Sequence, residues 1–470
     1  MIKADICVIG AGSGGLSVAA GAVQMGAKVV LCEGGKMGGD CLNYGCVPSK
    51  AMIEASRIIA KTNKAKDFGI NINNVDIDYK KVQQHVKNVI AKIEPHDSVE
   101  RFESLGVNVI QEYAEIVDQH TVKAGNNIIK AKYIVMATGS RASIPSIKGL
   151  DTVNYLTNET IFDLVEKPQH LMIIGGGPIG IELAQAHALL GSKVTIFEAS
   201  DTILGMLDHE CRDILLKELD NLGINIITNV NIDSIEQEAQ VIQINCGSKS
   251  YEGSHLLVAA GRQPNIEKLN LQSADITHTS KGISVDNRLR TNLKNIYAIG
   301  DVTGGYQFTH VAGYHAGIVI QNMLFKLPSK VDYSSLPWSI YTTPEIAHVG
   351  QSMSEAKNAG AKILKISYKD NDRAQASLST NGLVKVAIDK KGYILGATII
   401  GESASELIVQ WTIVIKNKMK IKNMTSQIIA YPTLSELNKR LAGNYFTPTL
   451  YGSKVKAIVR FMMKIFGKKL

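Results

Sequence analysis

A strand, a glycine turn and a helix occur twice in this chain with the same spacing. Ile6-Cys7-Val8-Ile9 runs into Gly10-Ala11-Gly12-Ser13-Gly14-Gly15, and a helix-like stretch follows from Leu16 to Met25. A second apolar strand, Lys28 to Cys32, ends in Glu33, 18 residues after Gly15. Leu171 to Ile174 enters Gly175-Gly176-Gly177-Pro178-Ile179-Gly180, and Val194 to Phe197 ends in Glu198, again 18 residues on. The glycines have separate physical tasks. Gly10 and Gly175 allow a tight turn, Gly12 and Gly177 let the backbone approach a pyrophosphate at a helix N-terminus, and Gly15 and Gly180 allow close helix packing. The acid at the end of the second strand suits a ribose diol. Two such units imply two dinucleotides on separate α/β domains.

Glu198 also bears on which nucleotide binds. A carboxylate there accepts ribose hydroxyls and repels a 2′-phosphate, and Ala199 to Ile203 supplies no Arg or Lys, so NADH is expected over NADPH.

Between the first turn and the next helix-like stretch, Ala51 to Ala65, lies Gly38-Gly39-Asp40-Cys41-Leu42-Asn43-Tyr44-Gly45-Cys46-Val47-Pro48-Ser49-Lys50. Its two cysteines have two readings, a metal site or a redox pair. The metal reading lacks a second ligand pair at zinc spacing, and no metal site is expected. In the redox reading, Pro48 near a helix start and Lys50 both favour a thiolate at Cys46. Cys7 and Cys32, in apolar strands, and the isolated Cys211 and Cys246 read as packing residues.

At these residues the chain resembles the class I pyridine nucleotide-disulfide oxidoreductases, the flavoprotein family of dihydrolipoamide dehydrogenase, glutathione reductase and mercuric reductase. The resemblance runs through Gly10–Gly15, Gly39–Lys50, Ala137–Ser140, Gly175–Glu182, Gly261–Asn265, Ala298–Asp301 and Tyr431–Glu436, in the family's order. It implies FAD as resident cofactor, with Glu33 at its adenosine ribose, Ala114 near its adenine, Asp301 at its ribityl chain, and Gly139, in the matching stretch Ala137–Ser140, among the cofactor-binding residues. Thr309 matches the segment against the flavin ring, and Lys50 flanks the ring and pairs with Glu182 beside the nicotinamide. Cys46 would be the flavin-side thiol and Cys41 the outer thiol that meets substrate. Gly261 lies in a further matching motif.

The implied architecture is α/β, with two Rossmann-like dinucleotide-binding domains plus a C-terminal α+β dimerisation domain. The expected segments are an FAD domain over 1–150, an NAD domain over 151–270, a return segment over 271–335 that completes the FAD domain, and a dimerisation domain over 336–450. A basic amphipathic tail takes 451–470. By resemblance the chain is a homodimer in which Tyr431 serves the neighbour's active site.

At one place the pattern changes. Where disulfide-reducing members carry His-Pro-Thr-x-x-Glu, this chain has Tyr431, with Glu436 retained. A phenol with an ordinary pKa near ~10 is a poor base at neutral pH. Mercuric reductases also carry Tyr there, but they need a C-terminal cysteine pair, and the last cysteine here is Cys246.

Composition closes off other classes. With 470 residues, 45% hydrophobic and 20% charged, the chain reads as a multi-domain globular protein. The segment Met1 to Asp5 leaves no room for a signal peptide ahead of the first strand, so a cytoplasmic place is expected. No apolar run is long enough to span a bilayer. The net charge of +8 is mostly local, because residues 451–470 hold six Lys and Arg and no acid. A nucleic-acid partner therefore has no support. In helical projection that tail places Val455, Ile458, Val459, Met462, Ile465 and Phe466 opposite Lys456, Arg460, Lys464 and Lys468, with Ala457 and Phe461 on the basic side. Two readings follow, a helix on a membrane surface or one packed on the dimer domain.

The leading expectation is an FAD-dependent NADH oxidoreductase whose Cys41-Cys46 disulfide reduces, or reversibly oxidises, a thiol, disulfide or related acceptor. The alternatives are a membrane-surface NADH:quinone-type dehydrogenase or diaphorase, a mercuric-ion reductase, and a slow redox-sensing scaffold.

Overall fold

The computed structural model describes residues 1–467, so Lys468 and Lys469 of the tail reading lie outside the described residues. The chain forms two compact units. One joins Met1–Ile203 to Leu222–Val331, and the other joins Leu204–Asn221 to the described residues from Asp332 onward.

In the first unit, the strand Ile2–Ile9 pairs in parallel with Val29–Cys32 on one side and with Asn127–Met136 on the other. Asn108–Ile110 extends the sheet beyond Val29–Cys32, and Ile296–Ala298 adds in parallel to Asn127–Met136. The hairpin strands Ala114–Asp118 and Thr121–Ala124 complete it antiparallel. Ile6, Cys7, Val8 and Ile9 are all buried, which is why this strand reads as an unbroken apolar run rather than an alternation. Both neighbours come later in the chain but lie on opposite sides of this strand, so the strand order reverses there. Gly10 follows at its carboxyl end, at the crevice where open α/β sheets bind ligands.

A second parallel sheet repeats the plan, in the order Asn225–Ile227, Lys193–Phe197, His170–Ile174, His255–Val258, Tyr155–Leu156. A short antiparallel pair, Arg262–Pro264 with Ser140–Ala142, ties residues after the second sheet to residues after the first.

The second unit is an antiparallel sheet ordered Pro337–Ile340, Glu345–Gly350, Ile394–Gly401, Leu383–Ile388, Lys362–Ser367. The helix Ala404–Lys416 packs on it, with Trp411 fully buried and its Nε1 donating to Asn438 Oδ1 at 2.8 Å. Residues 204–221, expected within the 151–270 segment, belong to this unit. The buried Lys385 gives the reason: its Nζ lies 2.7 Å from Asp208 Oδ1 and 2.6 Å from Glu210 Oε2. A buried ammonium requires carboxylates, and these two carry the helix His209–Asn221 with them.

Candidate active site

Both glycine turns have the shape that a dinucleotide needs. Gly10 has φ +105°, and a Cβ there would lie 2.4 Å from Ala137 O, while a Cβ on Gly15 would lie 1.8 Å from Gly10 O. Gly12 caps the helix Ser13–Gln24 without any side-chain partner, and a Cβ on it would meet nothing within 4 Å. The result is a set of uncapped amides facing open space, which suits a pyrophosphate. The second turn repeats this arrangement. Gly175 has φ +112°, a Cβ on Gly180 would press on Gly175 O at 2.1 Å, and Gly177 opens the helix Pro178–Leu189 onto free space. The acids also match. Glu33 Oε2 accepts from Ala11 N at 2.6 Å and Glu198 Oε2 accepts from Gly176 N at 2.6 Å, each beside its own turn. Burial pushes the Glu198 carboxyl up, but the N–H groups of Ser200 and Gly176 outweigh it and hold the group below its ordinary value. Glu198 is therefore an anion at neutral pH.

The helix after the first cysteine begins earlier than its composition suggests. It spans Cys46–Lys64 rather than starting at Ala51, because Pro48, third in the helix, gives up an N–H that needs no partner in the first turn. Cys46 thus stands at the helix N-terminus itself, where the dipole favours a thiolate. Cys41 and Cys46 are free cysteines, the reduced state of the pair. Cys46 Sγ lies 3.3 Å from Thr309 Oγ1, at the start of the helix Thr309–Met323. The hydrogen bond from Cys41, then those from Thr309 and the charge of Lys50, bring the Cys46 thiol down to about 6 against the opposing effect of burial. Cys41, the donor in that bond, is pushed far up by it and stays protonated. One turn along the helix, Lys50 Nζ donates to Glu182 Oε2 at 2.7 Å.

Asp301 was expected from the sequence, but the polar residues that join it to the cysteine segment, Asp40, Asn158, Ser140 and Arg262, were not singled out as site residues. Asp40 Oδ1 accepts from Asn158 Nδ2 at 2.9 Å, and its Oδ2 lies 3.2 Å from Arg262 Nη2. Arg262 Nε donates to Ser140 Oγ at 2.7 Å, and Ser140 Oγ donates to Asp301 Oδ2 at 2.6 Å. Burial raises the Asp301 carboxyl above its ordinary value despite Ser140 and Arg262. Arg262 thus holds two carboxylates, one preceding Cys41 and one at the expected ribityl position. A carboxylate placed directly before a reactive thiol, which needs a counterion, was the available signal.

Among the remaining expected residues, Ala114 is buried at the start of its strand, and Gly139 and Gly261 have φ +68° and +109° with open space where a Cβ would stand. In the second unit, Tyr431 is 70% exposed and its hydroxyl donates to Asp372 Oδ2 at 3.0 Å. That bond raises the phenol above its ordinary value, so Tyr431 is a donor and no base. Glu436 Oε2 accepts from Thr433 N at 3.4 Å at the start of the helix Glu436–Leu450. Cys7, Cys32 and Cys211 are buried, as packing residues are.

Residues 4–316 match the model of the pyridine nucleotide-disulphide oxidoreductases, and residues 336–442 match that family's dimerisation domain. The chain belongs to this family. A pyridine nucleotide-disulphide oxidoreductase is an enzyme that works with FAD and NAD(P), and the dimerisation domain supports a homodimer. The chain is 35% identical to dihydrolipoyl dehydrogenase of Geobacillus stearothermophilus over 93% of its length and 95% of that protein's. It is 34% identical to mercuric reductase of Bacillus cereus over 92% of its length and 70% of that protein's. Its fold is similar to that of the HOCl-induced flavoprotein disulfide reductase RclA from Escherichia coli in its Cu(II) complex. That likeness has TM-score 0.87 and 28% identity, covering 94% of this chain and all of the other. Among the described residues no helix is long and apolar enough to cross a membrane, and no three His, Cys, Asp or Glu side chains form a metal site.

Proposed function

We propose that this oxidoreductase is an NADH-dependent flavoenzyme whose Cys41-Cys46 pair passes two electrons to a disulfide or a related thiol-reactive acceptor. The observation that carries this reading is Cys46 at a helix N-terminus, bonded by Cys41 and Thr309 and backed by Lys50, which together bring its thiol down to about 6. Exchange chemistry needs one thiolate and one protonated partner, and this geometry supplies both.

Glu33, Gly10, Gly12, Gly15, Ala114, Gly139, Asp301 and Thr309 are the residues that would hold FAD. FAD held there would supply two-electron chemistry between a reduced nicotinamide and a disulfide. Gly175, Gly177, Gly180, Glu198 and Gly261 would hold NADH, with Glu198 accepting the ribose hydroxyls and refusing a 2′-phosphate. Lys50 and Glu182 orient the nicotinamide end and keep a positive charge beside Cys46. Cys41 is the thiol that meets the acceptor. The balance is NADH, one proton and a disulfide giving NAD⁺ and two thiols. Tyr431 and Glu436, on the partner subunit of a homodimer, stand where the usual acid-base pair stands, with Tyr431 as a hydrogen-bond donor and not as the base.

One observation favours a second acceptor class. The Tyr431 phenol is held protonated by Asp372, so it does not relay protons through a dithiol cycle. Reduction of a thiophilic metal ion at Cys41 delivers electrons without protonating a leaving thiol, and so does not need that relay.

Cys41→Ser tests the reading. The variant should keep FAD and still be reduced by NADH, while turnover of a small disulfide falls at least about 1,000-fold. Unchanged turnover would place the reaction outside the cysteine pair.

A further inference from the structure

The last described helix, Ser453–Phe466, has no buried residue. Ile458, Phe461, Met462, Met463, Ile465 and Phe466 are 50–77% exposed. At about 100° per residue these fall, with Val455 and Val459, on one broad arc that Lys454 of the first turn also enters, and Lys456, Arg460 and Lys464 form a stripe on the other side. Phe461 thus borders the apolar arc and does not extend the basic side. The apolar surface continues backwards through Leu450 and Tyr451, which are 56% and 68% exposed.

We propose that this helix is a peripheral anchor that lies in the surface of an anionic phospholipid bilayer. Both faces choose that occupant. Lys456, Arg460 and Lys464 are four residues apart, so they repel one another along one edge of the helix in water, and an anionic surface removes that repulsion. Residues 451–470 contain no acid, so a second copy of the helix could cover the apolar arc but would leave the cations without a counter-charge. The rest of the chain carries a net charge of only +2, so it has no net acidity to draw this stripe. The helix has 14 residues, short of the ~20 that a span requires, so it lies flat with its apolar arc among the acyl chains and its cations at the headgroups. A single helix of this kind attaches reversibly and lets go in salt.

The test is flotation of the full-length holoenzyme with vesicles of phosphatidylcholine alone, or with about 30% phosphatidylglycerol, at low and high salt, alongside sedimentation to give the mass in solution. Binding should be at least tenfold stronger to the anionic vesicles and be reversed by salt. Ile458→Glu with Met462→Glu should abolish it, with NADH turnover unchanged. Lys456→Gln, Arg460→Gln and Lys464→Gln together should weaken it by about a hundredfold, from roughly fivefold per cation. Failure to float, equal binding to both vesicles, or variants that bind like the parent would each overturn the proposal. A smaller solution mass for the Ile458→Glu, Met462→Glu variant would also overturn it, because a second copy would then be what covers this face.

Discussion

Lys50 Nζ lies 2.7 Å from Glu182 Oε2, joining the helix that opens with Cys46 to the helix that opens on the second glycine turn. The pair connects the residues proposed for the disulfide with those proposed for the nicotinamide nucleotide. Glu182 is almost wholly buried, and Lys50 is about one-third exposed.

Removing the cation should therefore affect both stability and rate. Lys50→Met leaves a buried carboxylate without this ammonium and should cost about 1–2 kcal/mol, less than for a fully dry pair because water reaches the lysine. Turnover of NADH with a disulfide should fall roughly 10- to 100-fold. Glu182→Gln keeps a hydrogen bond and should cost under about 1 kcal/mol. Denaturant melts and steady-state kinetics on the two variants check the order.

The pH dependence of the reduced enzyme follows from Cys46. Its folded value, about 6, is below the ordinary thiol value, so the thiolate persists at neutral pH and is lost as pH falls through about 6. Long-wavelength absorbance from that thiolate against oxidised flavin should disappear over the same range. Thr309→Val removes a hydroxyl donor, so the midpoint should move to higher pH. An unmoved midpoint would show that Thr309 does not hold the thiolate.

Tyr431 makes an opposite kind of prediction. With its phenol raised by Asp372, it does not titrate between pH 6 and 9. Tyr431→Phe should leave the shape of the pH profile for dithiol oxidation unchanged, whereas Tyr431→His should add a limb near pH ~6.5 and raise the rate. No gain with histidine would show that another step limits.

The proposed NADH preference rests on Glu198, whose two oxygens accept from Gly176 N and Ser200 N at 2.6 and 2.8 Å. Glu198→Ala removes the charge that repels a 2′-phosphate. The ratio of kcat/KM for NADH to that for NADPH should drop by about tenfold or more. A parent enzyme that prefers NADPH would contradict the assignment outright.

The dinucleotide turns were legible in the sequence because their physics is local. A positive φ at Gly10 and the pressed contact of Gly15 on Gly10 O depend on residues a few positions apart. The thiolate site was legible for the same reason, although the helix began five residues before the stretch read as helical. What escaped was carried by distant partners. Arg262 meets Asp40 across 222 positions, Asp372 meets Tyr431 across 59, and Lys385 draws Asp208 and Glu210 into the second unit. No spacing rule pairs such charges, since only the folded sheet order brings them together. Composition alone showed the tail's two faces, but not that the helix would be left with no buried residue.

Anaerobic titration of the purified flavoprotein with NADH tests the central claim most directly. Uptake of two electrons, with long-wavelength absorbance that NADH brings up in the parent, that is missing in Cys46→Ser and that does not depend on NADH in Cys41→Ser, is the expected result. Bleaching of the flavin from the first addition, with the same course in both variants, would contradict it, since the electrons would then bypass the cysteine pair.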